Sequence, residues 1–253
     1  MLLNQILFKM FSFLLALKYM VATGMNDSSL PKQPTVIPTE IIDVSNPTKS
    51  CVLDDKIIDL NDGTEGMLGI TPVICGGVEN ISVSNSCLLY GTSQKIMLNS
   101  KRAYHSSVGL NNSMLWIIGG IGIMGDGKQR TLDSTEFVTK EGAVKGPMLP
   151  EPVFCHCSVH FPGNGNVYVI SGIHGSLPNT KFSNKVWVAN PSNKFTFSQG
   201  PSLDTPRQWP TCGTMSIGTK SIIVVAGGNE DLVKITSSVE ILDPLSNQWV
   251  AGK

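Results

Sequence analysis

Residues 102–120 read RAYHSSVGLNNSMLWIIGG, and a Gly-rich connection then leads to Ser134-Thr135-Glu136-Phe137-Val138. Two runs rich in β-forming residues, 108–110 and 115–118, flank a polar turn, which is the pattern of a β-hairpin. The second run ends in a Gly pair, and glycine permits the left-handed backbone that a sharp turn after a strand requires. This stretch therefore predicts two antiparallel strands, a connection and a third strand.

The same sequence pattern recurs along the chain about every 50 residues, which indicates a repeat architecture. Clear copies start at Phe154 and Arg207, and a weaker copy includes Pro72 to Gly77 and Cys87 to Tyr90. The boundaries predict four units of four short strands each, without amphipathic helices. The units are residues 51–100, 101–149, 150–203 and 204–253.

The repeated unit resembles the kelch family over about residues 51–253. The resemblance rests on the Gly pair that closes the second strand, on the small-x-Glu-apolar third strand and on the aromatic residue that opens the fourth, Phe195 or Trp249. Ser171 replaces the first Gly of one pair, and residues 143–144 supply no aromatic in the second unit.

This resemblance implies an all-β fold, a kelch-type β-propeller with about four blades. Kelch propellers commonly have six blades, so we expect an open arc of an incomplete ring with exposed faces at its ends. The alternative is a closed four-bladed ring. One four-stranded sheet cannot bury both faces alone, so we expect large aromatic residues to pack between neighbouring sheets: Trp116, Tyr168, Trp187 and Trp249.

The composition narrows the class of partner. The 19 Lys and Arg residues balance 19 Asp and Glu residues, and a chain without a basic cluster is a poor ligand for nucleic acid. The 40 Gly and Pro residues, 25 and 15, follow no three-residue period. Such a composition suits a turn-rich β protein rather than collagen.

The first residues resemble a secretory signal peptide, residues 1–24. An apolar run at 10–17 lies between Lys9 and Lys18, and small residues Ala22 and Gly24 follow. An anchor or an imperfect start site are the alternatives, but the two lysines leave too short a run for stable membrane insertion. Residues 25–50 form a Pro/Thr-rich linker that we expect to be extended and poorly ordered.

The cysteines and sequons favour an extracellular glycoprotein. Cys75 ends a second strand and Cys87 opens a third, so we predict a disulfide between them. Cys157 and Cys212 hold equivalent places in successive units; they pair with each other or with Cys155, or stay buried and free, and Cys51 stays unassigned. Three Asn-x-Ser sequons predict glycosylation, at Asn26, Asn80 and Asn111.

No pattern indicates catalysis. His105 and His156 hold the same repeat position, which favours a structural role, and we expect no metal and no cofactor. One enzyme class with kelch-like repeats, the galactose-oxidase type, needs copper held by Tyr and His with a Tyr–Cys crosslink. The four tyrosines show no such arrangement in the sequence.

Kelch propellers bind partners through loops on one face of the disc, so the resemblance implies a protein-interaction module that binds a protein partner in this way. Three connections each follow a Gly pair or its equivalent and differ in length, namely residues 121–130, 173–182 and 229–236. Loops that form a binding surface vary in this way. Turns that merely tolerate insertions vary too, which is the alternative. An intracellular substrate-recognition propeller of a ubiquitin-ligase adaptor is the first alternative, and a copper enzyme the second. The candidate rim residues are Gly125, Asp126, Lys128, Arg130, His174, Asn179, Lys181, Asn229, Glu230 and Asp231.

Overall fold

The structure is a computed structural model that describes residues 19–22, 39–43, 52–54, 62–79, 82–123, 125–218 and 220–252. Regular structure in these residues is almost entirely β, with one short 3-10 turn at Pro191–Asn193. The strands in chain order are β1 (Tyr19–Ala22), β2 (Thr39–Asp43), β3 (Val52–Asp54), β4 (Thr64–Leu68), β5 (Thr71–Cys75), β6 (Val78–Glu79), β7 (Ser82–Val83), β8 (Ser86–Leu89), β9 (Lys95–Met97), β10 (Ser106–Asn111), β11 (Met114–Ile118), β12 (Ile121–Ile123), β13 (Gln129–Thr131), β14 (Thr135–Thr139), β15 (Gly142–Lys145), β16 (Val153–Phe154), β17 (Cys157–His160), β18 (Val167–Ile170), β19 (Ile173–His174), β20 (Lys181–Phe182), β21 (Val186–Asn190), β22 (Thr196–Gln199), β23 (Thr211–Ile217), β24 (Lys220–Ala226), β25 (Val239–Asp243) and β26 (Gln248–Ala251).

Four antiparallel four-stranded sheets dominate the described residues, and one lies within each predicted repeat. Each sheet takes its strands in chain order, with the short hairpins between strands two and three left out of it. We call them sheet 1 (β4-β5-β8-β9), sheet 2 (β10-β11-β14-β15), sheet 3 (β17-β18-β21-β22) and sheet 4 (β23-β24-β25-β26). The fold is therefore all-β and β-propeller-like, as the repeat predicts.

The beginning of sheet 1 adds a strand that the sequence pattern does not mark. This first strand is β4, and Glu65, Gly66 and Met67 are poor strand formers as a group. Part of the predicted linker is a strand, since β2 pairs with β1 and β3 in a three-stranded sheet. The rest of residues 25–50 lies outside the described residues.

Consecutive sheets pack face to face, because second strands such as β11, β18 and β24 have apolar side chains on both faces. Leu115 and Ile117 of β11 face sheet 1, whereas Trp116 and Ile118 of the same strand face sheet 3. Between sheets 2 and 3, Trp116 is fully buried against three phenylalanines at centroid distances of 5.1 to 5.7 Å, each pair worth about 0.5–1.5 kcal/mol beyond its buried area. These partners are Phe137, Phe195 and Phe197. Strand three supplies Phe137, which compensates for the missing aromatic in the fourth strand of sheet 2.

The other predicted packing aromatics lie at the same interfaces. Trp187 packs between sheets 2 and 3, and Tyr168 and Trp249 pack between sheets 3 and 4. The described residues form core clusters between sheets 1 and 2, 2 and 3, and 3 and 4, and none that joins sheet 4 back to sheet 1. The four sheets thus form an open series.

A row of backbone hydrogen bonds also ties the sheets together. One residue just before the first strand of each sheet has a φ between 52° and 57°. In successive sheets, its N–H donates to the carbonyl of its counterpart in the preceding sheet at 2.8 to 2.9 Å. We call these four residues the inner row; they are Asp62, Tyr104, Cys155 and Trp209.

Candidate functional site at the hairpin edge

The connections between strands two and three all leave the sheets at the same edge, which we call the hairpin edge. They are more regular than the loops expected from the sequence. β12 pairs with β13 as a hairpin, and β19 pairs with both β16 and β20 in a small sheet. In sheet 4, Asn229 makes single bridges to Gln208 and Ile235. The rim is therefore built mostly from hydrogen-bonded backbone, which presents its tips with little freedom.

Neighbouring connections also contact each other at this edge. The Thr131 hydroxyl donates to the Gly175 carbonyl at 2.7 Å, which joins the connection of sheet 2 to that of sheet 3. The Gly175 N–H donates to the Pro152 carbonyl, in the chain that enters sheet 3. The hairpin edge is therefore one continuous surface across at least these two sheets.

Most of the predicted rim residues lie at exposed tips of these connections. In the first tip, Arg130 pairs with Asp126 at 2.6 Å, and the Lys128 N–H caps the same carboxylate. The third tip is also internally paired, with Glu230 bonded to Lys234 and Asp231 accepting two backbone N–H groups. The exposed candidates are Gly125, Asp126, Lys128, Arg130, Asn179, Lys181 and Asp231, and the half-buried ones are Asn229 and Glu230.

His174 is not a rim residue, and its assignment to the binding surface is wrong. Its side chain is 1% exposed, because β19 folds back onto β16 and covers it. Nδ1 lies 2.9 Å from Glu151 Oε1 and Nε2 lies 2.9 Å from the Ser171 carbonyl. Each ring nitrogen thus lies within hydrogen-bond distance of an oxygen.

Exposed apolar side chains concentrate at the hairpin edge, a feature that the sequence pattern did not reveal. Leu232, Val233 and Ile235 project from the connection of sheet 4, with 85%, 89% and 61% of their surface exposed. Leu177 and Trp209 add exposed apolar surface at the same edge. We call these five residues the apolar tip cluster. At the opposite edge, exposed apolar residues lie singly at separate turns, namely Ile70, Ile217 and Leu245.

The inner row brings a tyrosine close to a cysteine, a proximity that the sequence did not predict. Burial and the neighbouring Asp62 carboxylate raise the pKa of the Tyr104 phenol to about 12, and Cys155 adds to this effect. Burial also raises the pKa of the Cys155 thiol above its ordinary value. Both groups are therefore protonated at neutral pH, whereas nucleophilic and metal-ligating cysteines act as thiolates.

His156 lies nearby between sheets 2 and 3. Burial, assisted by His174, lowers the pKa of His156 to about 3, so the ring is neutral. Its Nε2 lies 2.7 Å from the Ser106 hydroxyl, which in turn lies 2.6 Å from the Ser158 hydroxyl. His105 is likewise buried. In the part of the chain that the structure describes, no group of three His, Cys, Asp or Glu residues is placed to hold a metal ion.

A buried Arg–Glu network supports the hairpin edge in sheets 2 and 4. Arg102 donates to Glu136 Oε1 at 2.8 Å, and Arg207 donates to Glu240 Oε1 at 3.0 Å. Burial lowers the pKa of Arg102, while Glu136 opposes that shift and the guanidinium stays charged.

Most of the remaining contacts of the two networks match, although Glu136 in addition accepts from the Asn99 side-chain amide at 2.8 Å and Arg207 in addition donates through Nε to Glu240 at 3.3 Å. Each guanidinium also binds the first Gly carbonyl of the pair and the Ser at the start of strand three. Two backbone N–H groups cap each carboxylate. The Glu of strand three is visible in the repeat, but the Arg is found only by aligning Arg102 with Arg207.

Sheet 3 has a different network at the same position. Val153 holds the place of the Arg, and Trp187 holds the place of the Glu, since it pairs with Val169 as Glu136 pairs with Ile117. Lys185 lies where the other sheets have Ser134 and Ser238, and Glu151 supplies the negative charge. Glu151 Oε1 accepts from Lys185 Nζ at 2.7 Å and lies 2.9 Å from His174 Nδ1. Burial raises the pKa of Glu151, but the hydrogen bonds from Lys185 and His174 outweigh it and hold the pKa below its ordinary 4.5.

Two disulfides join strands of the sheets. Cys75 and Cys87 are bonded between β5 and β8, and Cys157 and Cys212 are bonded between the first strands of sheets 3 and 4. Cys155 is a buried free thiol, and Cys51 lies outside the described residues. The two bonds are compatible with an extracellular protein. Among the described residues, no helix has the length and apolar character to cross a membrane.

One of the three predicted glycosylation sites is described. Asn111 is exposed at the end of β10, where its side chain caps the turn to Ser113. Asn26 and Asn80 lie outside the described residues, as does most of the predicted signal peptide. Glycosylation and secretion stay predictions.

Comparison with known proteins supports the fold and leaves the function open. No family model matches the chain, and no curated protein matches its sequence. Its structure is similar to a solved one titled "Structure of YjhT", with a TM-score of 0.58 and 14% sequence identity. The similarity covers 78% of this chain and 66% of that one, so the chain spans about two thirds of that protein's length. A match at this identity shows the β-propeller-like arrangement alone.

Proposed function

We propose that this chain is an extracellular, non-catalytic kelch-type propeller module that binds a protein partner through its hairpin edge. The observation that carries the proposal is the apolar tip cluster. Leu232 and Val233 are adjacent and almost fully exposed on a connection that is itself braced by hydrogen bonds. Contiguous exposed apolar surface on a soluble protein commonly marks an interaction site.

The polar residues around the cluster support the same function. Asp126, Arg130, Glu230 and Lys234 pair within their own tips, so the charges at the edge are largely balanced. A balanced polar rim around apolar anchors is the composition of a protein–protein interface, and it offers little to a polyanion.

The inner row supports the non-catalytic part of the proposal. The Cys155 thiol and the Tyr104 phenol keep their protons at neutral pH, so neither is an activated nucleophile. The pKa of His156, lowered to about 3, is far below that of a general base matched to neutral pH.

The test compares two leucines of nearly equal exposure on opposite edges. The full chain is immobilised and screened against a panel of extracellular proteins, and every partner found is retested with Leu232→Asp and Leu245→Asp, residues that are 85% and 89% exposed. We expect Leu232→Asp to weaken binding at least roughly tenfold, the size of a modest interface residue, and Leu245→Asp to bind like wild type. Loss of binding in Leu245→Asp with full binding in Leu232→Asp would place the site on the other edge.

Secretion is tested separately from binding. The full chain is expressed in secretory eukaryotic cells, and the medium is analysed for a product that lacks the first residues and carries a glycan at Asn111. A chain that stays in the cytosol with reduced Cys75 and Cys87 would contradict the extracellular part of the proposal and favour the intracellular adaptor.

A further inference from the structure

The first strands of sheets 2, 3 and 4 are each linked to the first strand of the preceding sheet by a residue at the same position. Each of these residues pairs with the second residue before the Gly pair or its equivalent; they are Ser107, Ser158 and Cys212. In sheet 2 the link is a hydroxyl that donates to the Glu65 carbonyl at 2.8 Å, and in sheet 3 it is a hydroxyl that lies 2.6 Å from the Ser106 hydroxyl. In sheet 4 the link is the disulfide to Cys157. One link in this row is therefore a covalent bond that a reductant can open.

The disulfide anchors β23 on sheet 3. Cys212 pairs with Val225, which packs into the core between the two sheets, so alternate residues of β23 face sheet 3. These residues are Cys212, Thr214 and Ser216. Thr214 and Ser216 are exposed and polar, whereas Cys212 is half-buried against the core. Cys212 is therefore the member of this set that holds β23 against sheet 3.

The two disulfides differ in their access to solvent. Cys75 and Cys87 are both 0% exposed, whereas Cys157 and Cys212 are half-buried. Thiol–disulfide exchange requires that a thiolate reach one of the two sulfurs. The Cys155 thiol lies two residues before Cys157, but it is buried and protonated at neutral pH, so it is a poor attacking group. A reductant from solvent therefore reaches the bond between sheets 3 and 4 first.

The anchored strand also supports the hairpin edge of sheet 4. Cys212 follows Trp209, a member of the apolar tip cluster, by three residues. Between the same sheets, Gln208 and Asn229 exchange two backbone hydrogen bonds of 2.8 Å. Asn229 begins the connection that carries Leu232. Loosening of the start of β23 therefore acts on the segment that holds this connection in place.

From these observations we propose that the Cys157–Cys212 disulfide is a redox switch, which a dithiol reductant opens to free β23 from sheet 3 and loosen the hairpin edge of sheet 4. One thiolate of the reductant attacks a sulfur of the bond and releases the other cysteine. The second thiol of the reductant then attacks the mixed disulfide. Two electrons and two protons end on Cys157 and Cys212, and the reductant leaves as its own disulfide. The two thiols are weak hydrogen-bond donors and do not replace the link.

Any consequence of the switch for partner binding rests on the proposed function, whereas the opening of the bond does not. The test therefore uses the full, oxidised chain without a partner. Dithiothreitol is added in increasing amounts, free thiols are alkylated, and the alkylated cysteines are located by peptide mass. We expect Cys157 and Cys212 to be alkylated at reductant concentrations that leave Cys75 and Cys87 bonded.

Hydrogen–deuterium exchange on the same samples measures the structural effect. Exchange of residues 211–217 and 229–236 should accelerate by at least roughly tenfold when the bond opens, because these segments then open locally at a lower cost. Strand β10 is the internal control. Its link to the preceding sheet is a hydroxyl hydrogen bond, so its exchange should stay unchanged.

Two variants separate the disulfide from other effects of the reductant. Cys157→Ser/Cys212→Ser places a hydroxyl pair at this position, as between sheets 2 and 3, and should exchange at a rate between those of the oxidised and reduced chains, with no response to reductant. Cys155→Ser keeps the bond and should respond like wild type. If the double variant fails to fold, the wild-type measurements still decide.

Three results overturn the proposal. The first is alkylation of Cys75 and Cys87 before, or together with, Cys157 and Cys212. The second is a reduced chain in which residues 211–217 keep the exchange rate of the oxidised chain. The third is an equal acceleration in β10, since the whole chain would then unfold and no local switch would exist.

Discussion

Sheets 2 and 4 stabilise their hairpin edges with a buried Arg–Glu pair, whereas sheet 3 does so with Glu151, Lys185 and His174. The position of the negative charge differs as well. In sheets 2 and 4 it lies on strand three, while in sheet 3 it lies on the segment before strand one. All three sheets thus have a charge pair between the segment before strand one and the start of strand three, but the residue types that form the pair differ.

The two kinds of charge network differ in solvent exposure. The side chains of Arg102 and Glu136 are 0% and 2% exposed, whereas those of Glu151 and Lys185 are 24% and 34% exposed. A fully buried pair is expensive to break, because the remaining charge has no partner and no water. The half-buried network of sheet 3 can recruit water when a member is lost, so we expect it to be weaker and more sensitive to pH.

The largest expected effect is the loss of one buried arginine. Arg102→Met or Arg207→Met leaves Glu136 or Glu240 buried without its cation and should lower the free energy of unfolding by about 3–5 kcal/mol. Urea denaturation followed by tryptophan fluorescence measures this loss. Arg130→Met, in an exposed pair, serves as the control and should cost at most about 1 kcal/mol. Equal losses in Arg102→Met and Arg130→Met would refute the buried role.

A smaller loss is expected in sheet 3. Glu151→Gln keeps the shape of the side chain but removes the charge that Lys185 and His174 share, and it should cost about 1.5–3 kcal/mol, the range for hydrogen bonds to a charged group. The same denaturation experiment gives the value. A loss as large as that of Arg102→Met would remove the distinction between the two kinds of network.

The Glu151 contribution should depend on pH. Its folded-state pKa lies below 4.5, so its stabilisation is complete above the unfolded pKa and is lost as pH falls through the folded pKa. The difference in stability between wild type and Glu151→Gln should therefore be constant from about pH 6 down to about pH 5 and shrink below about pH 4.5. Denaturation curves of both proteins at each pH test this, and a difference that grows on acidification has the wrong sign.

The smallest effect concerns Ser171, which holds a φ of 61° where the other units have glycine. Its hydroxyl donates to the Ser183 carbonyl and accepts from the Arg207 N–H. Ser171→Ala loses both bonds and keeps the left-handed strain, whereas Ser171→Gly loses the bonds and relieves the strain. We expect Ser171→Ala to be less stable than Ser171→Gly by about 1 kcal/mol, as thermal unfolding would measure. The reverse order would show that the backbone there is not strained.

The sequence predicted the sheets better than it predicted the site. Strands such as β11, β18 and β24 were recognisable because each combines β-branched residues with a following Gly pair. The first strand of sheet 1 was missed, since residues 64–68 have no such signal. The connections looked like loops because their strands have only two or three residues, too short for a period to show.

The sequence predicted only part of the candidate site, because the exposure of a side chain depends on contacts that local sequence does not show. Exposure of a tip such as Leu232 depends on how the chain turns back, not on its neighbours in sequence. His174 seemed a solvent-facing loop residue, yet it is buried, because β19 pairs with β16 in a contact that the sequence pattern did not indicate. The match between Arg102 and Glu136 joins residues 34 positions apart that only the stacked strands bring together.

The amino-acid sequence by itself determined the repeated sheet, since alternation of apolar residues and paired glycines are local properties of the chain. The tertiary structure alone decided which disulfide partner Cys157 takes, how sheet 3 replaces the Arg–Glu pair, and which apolar faces stay open. These depend on contacts between residues far apart in sequence, and burial is a property of the assembled sheets.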